Sequence, residues 1–114
     1  MSRIAYVNGA YVPLRSARVS IMDRGFQFAD SIYEVWAIRG GRMFDHDAHM
    51  TRLQRSLAEL RITPPMTEAS LMAVMRETMR RNRVTDGIVY VQVSRGAANR
   101  DHVFPAPDTK PTII

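Results

Sequence analysis

The hydrophobic period of this chain changes twice, and those changes limit the folds open to it. As far as Phe44 the apolar and aromatic residues follow strand-like alternation; from Asp45 to Pro64-Pro65, and again from Thr67, they recur every three or four positions; after Asp86-Gly87 the strand-like pattern returns. A period of two divides a strand between two faces, whereas a period near 3.6 lays one stripe along a helix. The order of strands, two helices and strands therefore argues for an α+β fold: an antiparallel-rich sheet covered by two helices. With no linker, repeat or low-complexity stretch, residues 1–114 read as one domain.

Turn chemistry sharpens this outline. Asn8-Gly9, between strand-like residues 3–7 and 10–12, is suited to the positive φ values of a type I′ hairpin turn. Gly40-Gly41 plays the same part between residues 31–38 and 42–44. Asp45 or Asp47 is placed to cap a helix with Met50, Leu53, Leu57 and Leu60 on one face, stopped by Pro64-Pro65. Thr67 is placed to cap a second helix, whose stripe of Leu71, Met72, Met75 and Met79 reads as core packing. Residues 88–94 form a further strand, and residues 112–114 another.

A chain of 114 residues buries between ~60% and ~70% of its unfolded surface, enough for one core. Cysteine is absent, so neither disulfides nor thiolate chemistry contributes. No apolar run approaches the ~20 residues of a membrane span and the first residues lack a signal-peptide core, so no membrane partner and a cytoplasmic location are expected. The net charge of +5 is distributed, with Arg80-Arg81-Asn82-Arg83 the one basic cluster. That cluster reads as a solvated helix end, where cations suit the dipole. A nucleic-acid-binding module using Arg76, Arg80, Arg81 and Arg83, or a non-catalytic interaction domain, is the alternative from another class; no nucleic-acid motif accompanies the cluster, and no nucleic-acid partner is expected. Lys110 is the only lysine.

Arg100-Asp101-His102 sets a fixed cation beside a titratable one. Arg offers a planar donor fork matched to two carboxylate oxygens, and His adds a donor whose charge is tunable near neutrality. In an extended segment the two share a side, with Asp101 opposite. Alternation over residues 31–38 puts Tyr33, Val35 and Ala37 on one face and Ile32, Glu34, Trp36 and Ile38 on the other, so Tyr33 and Glu34 cannot face one pocket. Arg52 borders the apolar stripe of the first helix, and His49, three residues earlier, shares its face. From the residues alone, Tyr33 reads as a tyrosine packed on the sheet ahead of a ligand group, Arg52 as an ordinary surface arginine and the Arg100–His102 segment as a polar, solvent-facing loop. Arg95-Gly96 reads as a turn that ends a strand, with no role for Arg95, and no metal-ligand set is assigned.

The block Asp23-Arg24-Gly25-Phe26-Gln27-Phe28-Ala29-Asp30-Ser31-Ile32-Tyr33-Glu34-Val35, followed by His49-Met50-Thr51-Arg52-Leu53, Ser94-Arg95-Gly96, His102-Val103-Phe104-Pro105 and Lys110-Pro111-Thr112-Ile113-Ile114, carries a resemblance over essentially the whole chain. It resembles the N-terminal part of the fold-type IV pyridoxal-phosphate aminotransferases, closest to their D-amino-acid (D-alanine) branch. The resemblance implies the smaller domain of a homodimeric enzyme that moves an amino group between a D-amino acid and a 2-oxo acid. It implies pyridoxal 5'-phosphate as cofactor, Arg52 on the cofactor phosphate, and Tyr33, Arg100 and His102 on the substrate carboxylate. Branched-chain aminotransferases and aminodeoxychorismate lyases, the alternatives of the same fold, generally lack the Arg–His pair. The lysine that carries the cofactor is implied to lie in a second domain beyond Ile114, so no catalytic residue is expected within the chain, which reads as a fragment cut inside a strand. Lys110 matches an upstream inter-strand stretch and reads as a solvated lysine at a strand edge. One departure is Ala29, where the family usually has Gly before the Asp and where Ala resists a positive φ.

Overall fold

Asn8 and Gly9 both take positive φ, 47° and 99°, and so turn β1 (Ile4–Val7) back on β2 (Ala10–Pro13) as an antiparallel pair. The structure, a computed structural model, describes residues 3–114. After β2 the chain makes a 3-10 turn at Leu14–Ser16 and then a short helix, α1 (Arg24–Phe28). Asp23 starts α1 by accepting the Gly25 N–H at 2.8 Å. A five-residue helix is too brief to leave a periodic signal, and it was not expected from the sequence. Ala29 ends it in the left-handed region, φ 55° and ψ 28°, despite its side chain.

β3 (Ser31–Arg39) follows and turns through Gly40 and Gly41, at φ 56° and 76°, into β4 (Arg42–Met43). Two helices come next, α2 (His46–Leu60) and α3 (Glu68–Arg81), then β5 (Gly87–Ser94) and β6 (Thr112–Ile113). The larger sheet has the order β4-β3-β5-β6 and is antiparallel throughout, with Glu34 opposite Val91 and Trp36 opposite Val89. The expected α+β arrangement of antiparallel sheet and two covering helices is therefore present, with α1 added.

Alternation along β3 sends Glu34, Trp36 and Ile38 inward, where Ile38 is fully buried and Trp36 joins Val91, Val93 and Ile113. Met50, Leu53 and Leu57 of α2 and Leu71 and Met75 of α3 complete the core. Full burial of one such side chain contributes roughly 1.5–3 kcal/mol. A one-residue slip of β3 would expose Trp36 and Ile38 together, so this face fixes the register. On the other face Tyr33, Ile88 and Tyr90 remain exposed.

Two expectations about α2 need correction. Neither aspartate caps it through its side chain: Asp45 occupies the N-cap position with φ 50° but its carboxylate accepts no cap bond, and Asp47 lies within the first turn. The helix also ends before the prolines, because Arg61 adopts φ 56° and Ile62 N–H returns to the Leu57 carbonyl at 2.9 Å. The buried stripe closes at Leu57, and Leu60 is 38% exposed. By contrast Thr67 caps α3 as anticipated, accepting the Ser70 N–H at 3.1 Å. In α3 Leu71, Met75 and Met79 are buried and Met72 is half-buried.

Two asparagines attach the small hairpin to the rest. Asn82, just past α3, accepts the Ile4 N–H and donates to the Ile4 carbonyl, both at 2.9 Å. Asn8 accepts the Ile113 N–H at 2.8 Å while its own N–H reaches the Ile113 carbonyl at 3.0 Å. Among the described residues no helix is long and apolar enough to cross a membrane.

Candidate functional site

Glu34 is an acid in an otherwise apolar row, 3% exposed, and an ionised carboxylate there requires partners. The helix facing it supplies them. Arg52 donates from Nε to Oε2 at 2.7 Å and from Nη2 to Oε1 at 2.6 Å, a bidentate fork. His49 Nδ1 lies 2.9 Å from Oε1, and the Val35 N–H adds a contact at 3.2 Å. The Arg52 hydrogen bonds hold the Glu34 carboxyl at about 2, below its ordinary 4.5, against the opposing effect of burial. With Glu34 ionised, His49 serves it best with the proton on Nδ1. Glu34 in turn raises the Arg52 pKa. The Arg52 side chain is 60% exposed, and Nη1 has no hydrogen bond among the described residues. A guanidinium is thus fixed by its inner edge with its outer edge free, the form a phosphate ligand takes.

Arg52 and His49, expected on one helix face, meet through Glu34. Glu34 itself was missed. The signal was available, since alternation puts this acid on the Trp36 face and the helix offers two polar groups three residues apart.

Arg100 and His102 are brought together, though not by an extended strand. The segment bends, and both groups gather on Phe28 of α1, the Arg100 guanidinium 5.3 Å and the His102 ring 5.5 Å from its centroid. A third group joins them. Arg24, 4% exposed, lies 4.8 Å from the same centroid, donates from Nη1 to the Asp101 carbonyl at 2.7 Å and from Nε to Asp30 Oδ2 at 2.8 Å. Arg95, to which no role was assigned, donates from Nε to the same Asp30 oxygen at 2.6 Å and from Nη2 to Oδ1 at 3.2 Å. Its Nη2 and Nη1 also cap α2 through the carbonyls of Leu60, at 2.6 Å, and Arg61, at 3.0 Å. Burial pushes the Asp30 carboxyl up, but the Arg95 and Arg24 hydrogen bonds prevail and leave it below its ordinary value.

Tyr33 stands apart. It is 65% exposed on the outer sheet face and stacked on Tyr90, ring centroids 5.6 Å apart, whereas the ring contacts of Arg100 and His102 are to Phe28. Lys110 is an exposed loop residue two positions before β6. Its carbonyl packs so closely on Gly96, at φ 110°, that any side chain there would collide with it. In the basic cluster, Arg80 and Arg81 both bond Glu77, at 2.6 and 3.0 Å, and Arg81 also covers the Tyr11 ring.

Residues 31–114 match the Amino-transferase class IV family. A D-alanine aminotransferase of Staphylococcus haemolyticus is 37% identical over 109 residues, 96% of this chain and 39% of that protein. The branched-chain amino acid aminotransferase of Escherichia coli superposes with a TM-score of 0.88 at 22% identity, covering 99% of this chain and 40% of that one. The 4-amino-4-deoxychorismate lyase of Pseudomonas aeruginosa gives a TM-score of 0.71 at 26% identity, over 95% of this chain and 37% of that one. The chain thus spans about two fifths of the length of the proteins it matches.

Proposed function

This chain belongs to the class IV aminotransferases, and we propose that it forms the N-terminal, smaller domain of a homodimeric, cytoplasmic enzyme that transfers an amino group between a D-amino acid and a 2-oxo acid. The observation that carries this reading is the gathering of Arg100 and His102 on the Phe28 ring, one permanent and one tunable cation presented together. Both are exposed and neither makes an ion pair among the described residues, so both are available to an incoming carboxylate. We assign Tyr33, a neutral phenol donor on the open sheet face and apart from that pair, to the substrate as well.

The residues present fit pyridoxal 5'-phosphate. Arg52, aimed by buried Glu34 and His49, would hold the phosphate with its free edge. When bound, the cofactor withdraws electrons from the substrate Cα, which is the difficult part of the chemistry. The side chains of this domain bind and orient. Lys110, on an exposed loop, is assigned no part in moving a proton.

Substrate handedness tests the reading. Fixing a carboxylate on one side of the cofactor decides which Cα hydrogen stands perpendicular to its plane. In steady-state assays of the full-length protein, kcat/KM for D-alanine and D-glutamate should exceed that for L-leucine and L-valine. The reverse order would move the protein to the branched-chain branch and leave Arg100 and His102 without this role.

A further inference from the structure

We propose that Arg24 is a positioning residue, which through the Asp101 carbonyl and the Phe28 ring sets the direction in which the loop presents Arg100 and His102 to a carboxylate; the role rests on the carboxylate-binding reading of that pair. Arg100 and His102 flank Asp101 in the chain. The Asp101 carbonyl lies in the peptide plane that joins Asp101 Cα to His102 Cα, so whatever holds it constrains His102 directly and Arg100 through the Asp101 backbone. Arg24 Nη1 holds it at 2.7 Å and approaches the Val103 carbonyl at 3.4 Å, so one guanidinium nitrogen spans the tip of the loop.

Arg24 is itself anchored. Its N–H bonds the Gly96 carbonyl at 2.9 Å, and Asp23 beside it pairs with Ala97. Its Nε is fixed on Asp30, whose carboxylate is shared with Arg95, and Arg95 lies 4.1 Å from the Phe104 ring centroid at the far side of the loop. The loop is thus pinned on both sides of His102 by two guanidinium groups that share one carboxylate. Apolar side chains often replace a buried charge network with no loss of stability, so stability alone is a weak reason for this one. What the network specifies is where Asp101 sits. The fork is needed for this: Nε and Nη1 point to different acceptors while the plane covers an aromatic ring, and a lysine ammonium on a flexible stem cannot do all three.

Arg24→Lys in the full-length holoenzyme therefore keeps the charge and loses the geometry. The expected result is a KM for D-alanine raised between about 10- and 100-fold, with kcat less affected and the pyridoxal-phosphate dissociation constant unchanged. Backbone hydrogen exchange across residues 100–104 should be faster. In an Arg100→Ala background, Arg24→Lys should raise KM by a smaller factor than in the wild type, because only His102 is left for the loop to present. Independent, multiplying effects of the two substitutions would overturn the proposal, as would wild-type KM and exchange in Arg24→Lys. If Arg100→Ala leaves KM unchanged while Arg24→Lys speeds exchange, the carboxylate reading fails and the hold of Arg24 on the loop stands. If Arg100→Ala raises KM and Arg24→Lys changes neither quantity, the carboxylate reading stands and the role of Arg24 is overturned. Should Arg24→Lys not fold, Asp30→Asn, which keeps the side-chain size and weakens the Arg24 anchor, carries the same measurements with the same expected and contrary results.

Discussion

Replacing Glu34 by Gln tests whether a buried carboxylate organises the edge of Arg52 that we propose for the cofactor phosphate. Gln keeps the shape but presents a carbonyl and an NH2 group, so one of the donors from Arg52 or His49 must face another donor. The fall of the Glu34 carboxyl from 4.5 to about 2 is equivalent to ~3 kcal/mol, at ~1.4 kcal/mol per pH unit. Arg52 is largely in solvent, which screens the pair, so the loss should be nearer ~1–2 kcal/mol. For a chain of this size that is a Tm lower by roughly 4–16 °C near neutral pH. The pH dependence is the sharper test. A group whose folded pKa is depressed stabilises the fold above its unfolded value and loses that contribution as pH falls through its folded value. The gap between wild type and Glu34→Gln should therefore be full above about pH 4.5 and close progressively toward about pH 2. Urea titrations of the 114-residue chain at stepped pH measure it. A gap that stays constant from pH 7 to the acid limit of folding would mean that Glu34 contributes by shape alone.

Removing Arg100 should weaken substrate far more than cofactor, by ~1.5–3 kcal/mol for a lost charged hydrogen bond, whereas Arg52→Ala should raise the pyridoxal-phosphate dissociation constant and spare KM; kinetics and fluorescence titration of the full-length protein separate the two, and identical effects would void both assignments. Ala29→Gly should stabilise the chain by ~0.5–1 kcal/mol, the relief of a left-handed Ala less the added freedom of an unfolded Gly, and a lower denaturation midpoint would show that the Ala29 methyl contributes packing. Mixed with pyridoxal phosphate, the 114-residue chain should show no cofactor absorption that survives dialysis; a persistent band lost in Lys110→Ala would make Lys110 the cofactor lysine.

The parts of this fold that were legible in the sequence are those set by neighbours in the chain. Asn8-Gly9 and Gly40-Gly41 take the backbone angles their types favour, Thr67 caps the helix it precedes, and the alternation from Ser31 to Ile38 matches the buried and open faces of β3. Helix α2 was harder at its ends, since Asp45 and Arg61 adopt positive φ without being Gly or Asn. Those angles are imposed by what the flanking elements bury, and no local propensity announces them.

Most of what organises the candidate site joins residues far apart in sequence. Arg24 reaches Asp101 across 77 positions, Arg95 reaches Asp30 across 65, and Arg52 and Glu34 are separated by 18. Periodicity assigns faces but does not match one face to another, so Arg95 at a strand end was given no role and Arg24 at the start of a short helix was not singled out. A buried guanidinium must find acceptors, however, and that requirement works in reverse. Glu34 on an apolar face and Asp30 beside the left-handed Ala29 are the acids from which the network can be traced: Glu34 leads to His49 and Arg52, and Asp30 to Arg24 and Arg95. From Arg24 the path continues through the Asp101 carbonyl to Arg100 and His102. The positioning of both candidate ligand groups thus starts from two acids on and just before β3, which makes that strand the frame of the site as well as the wall of the core.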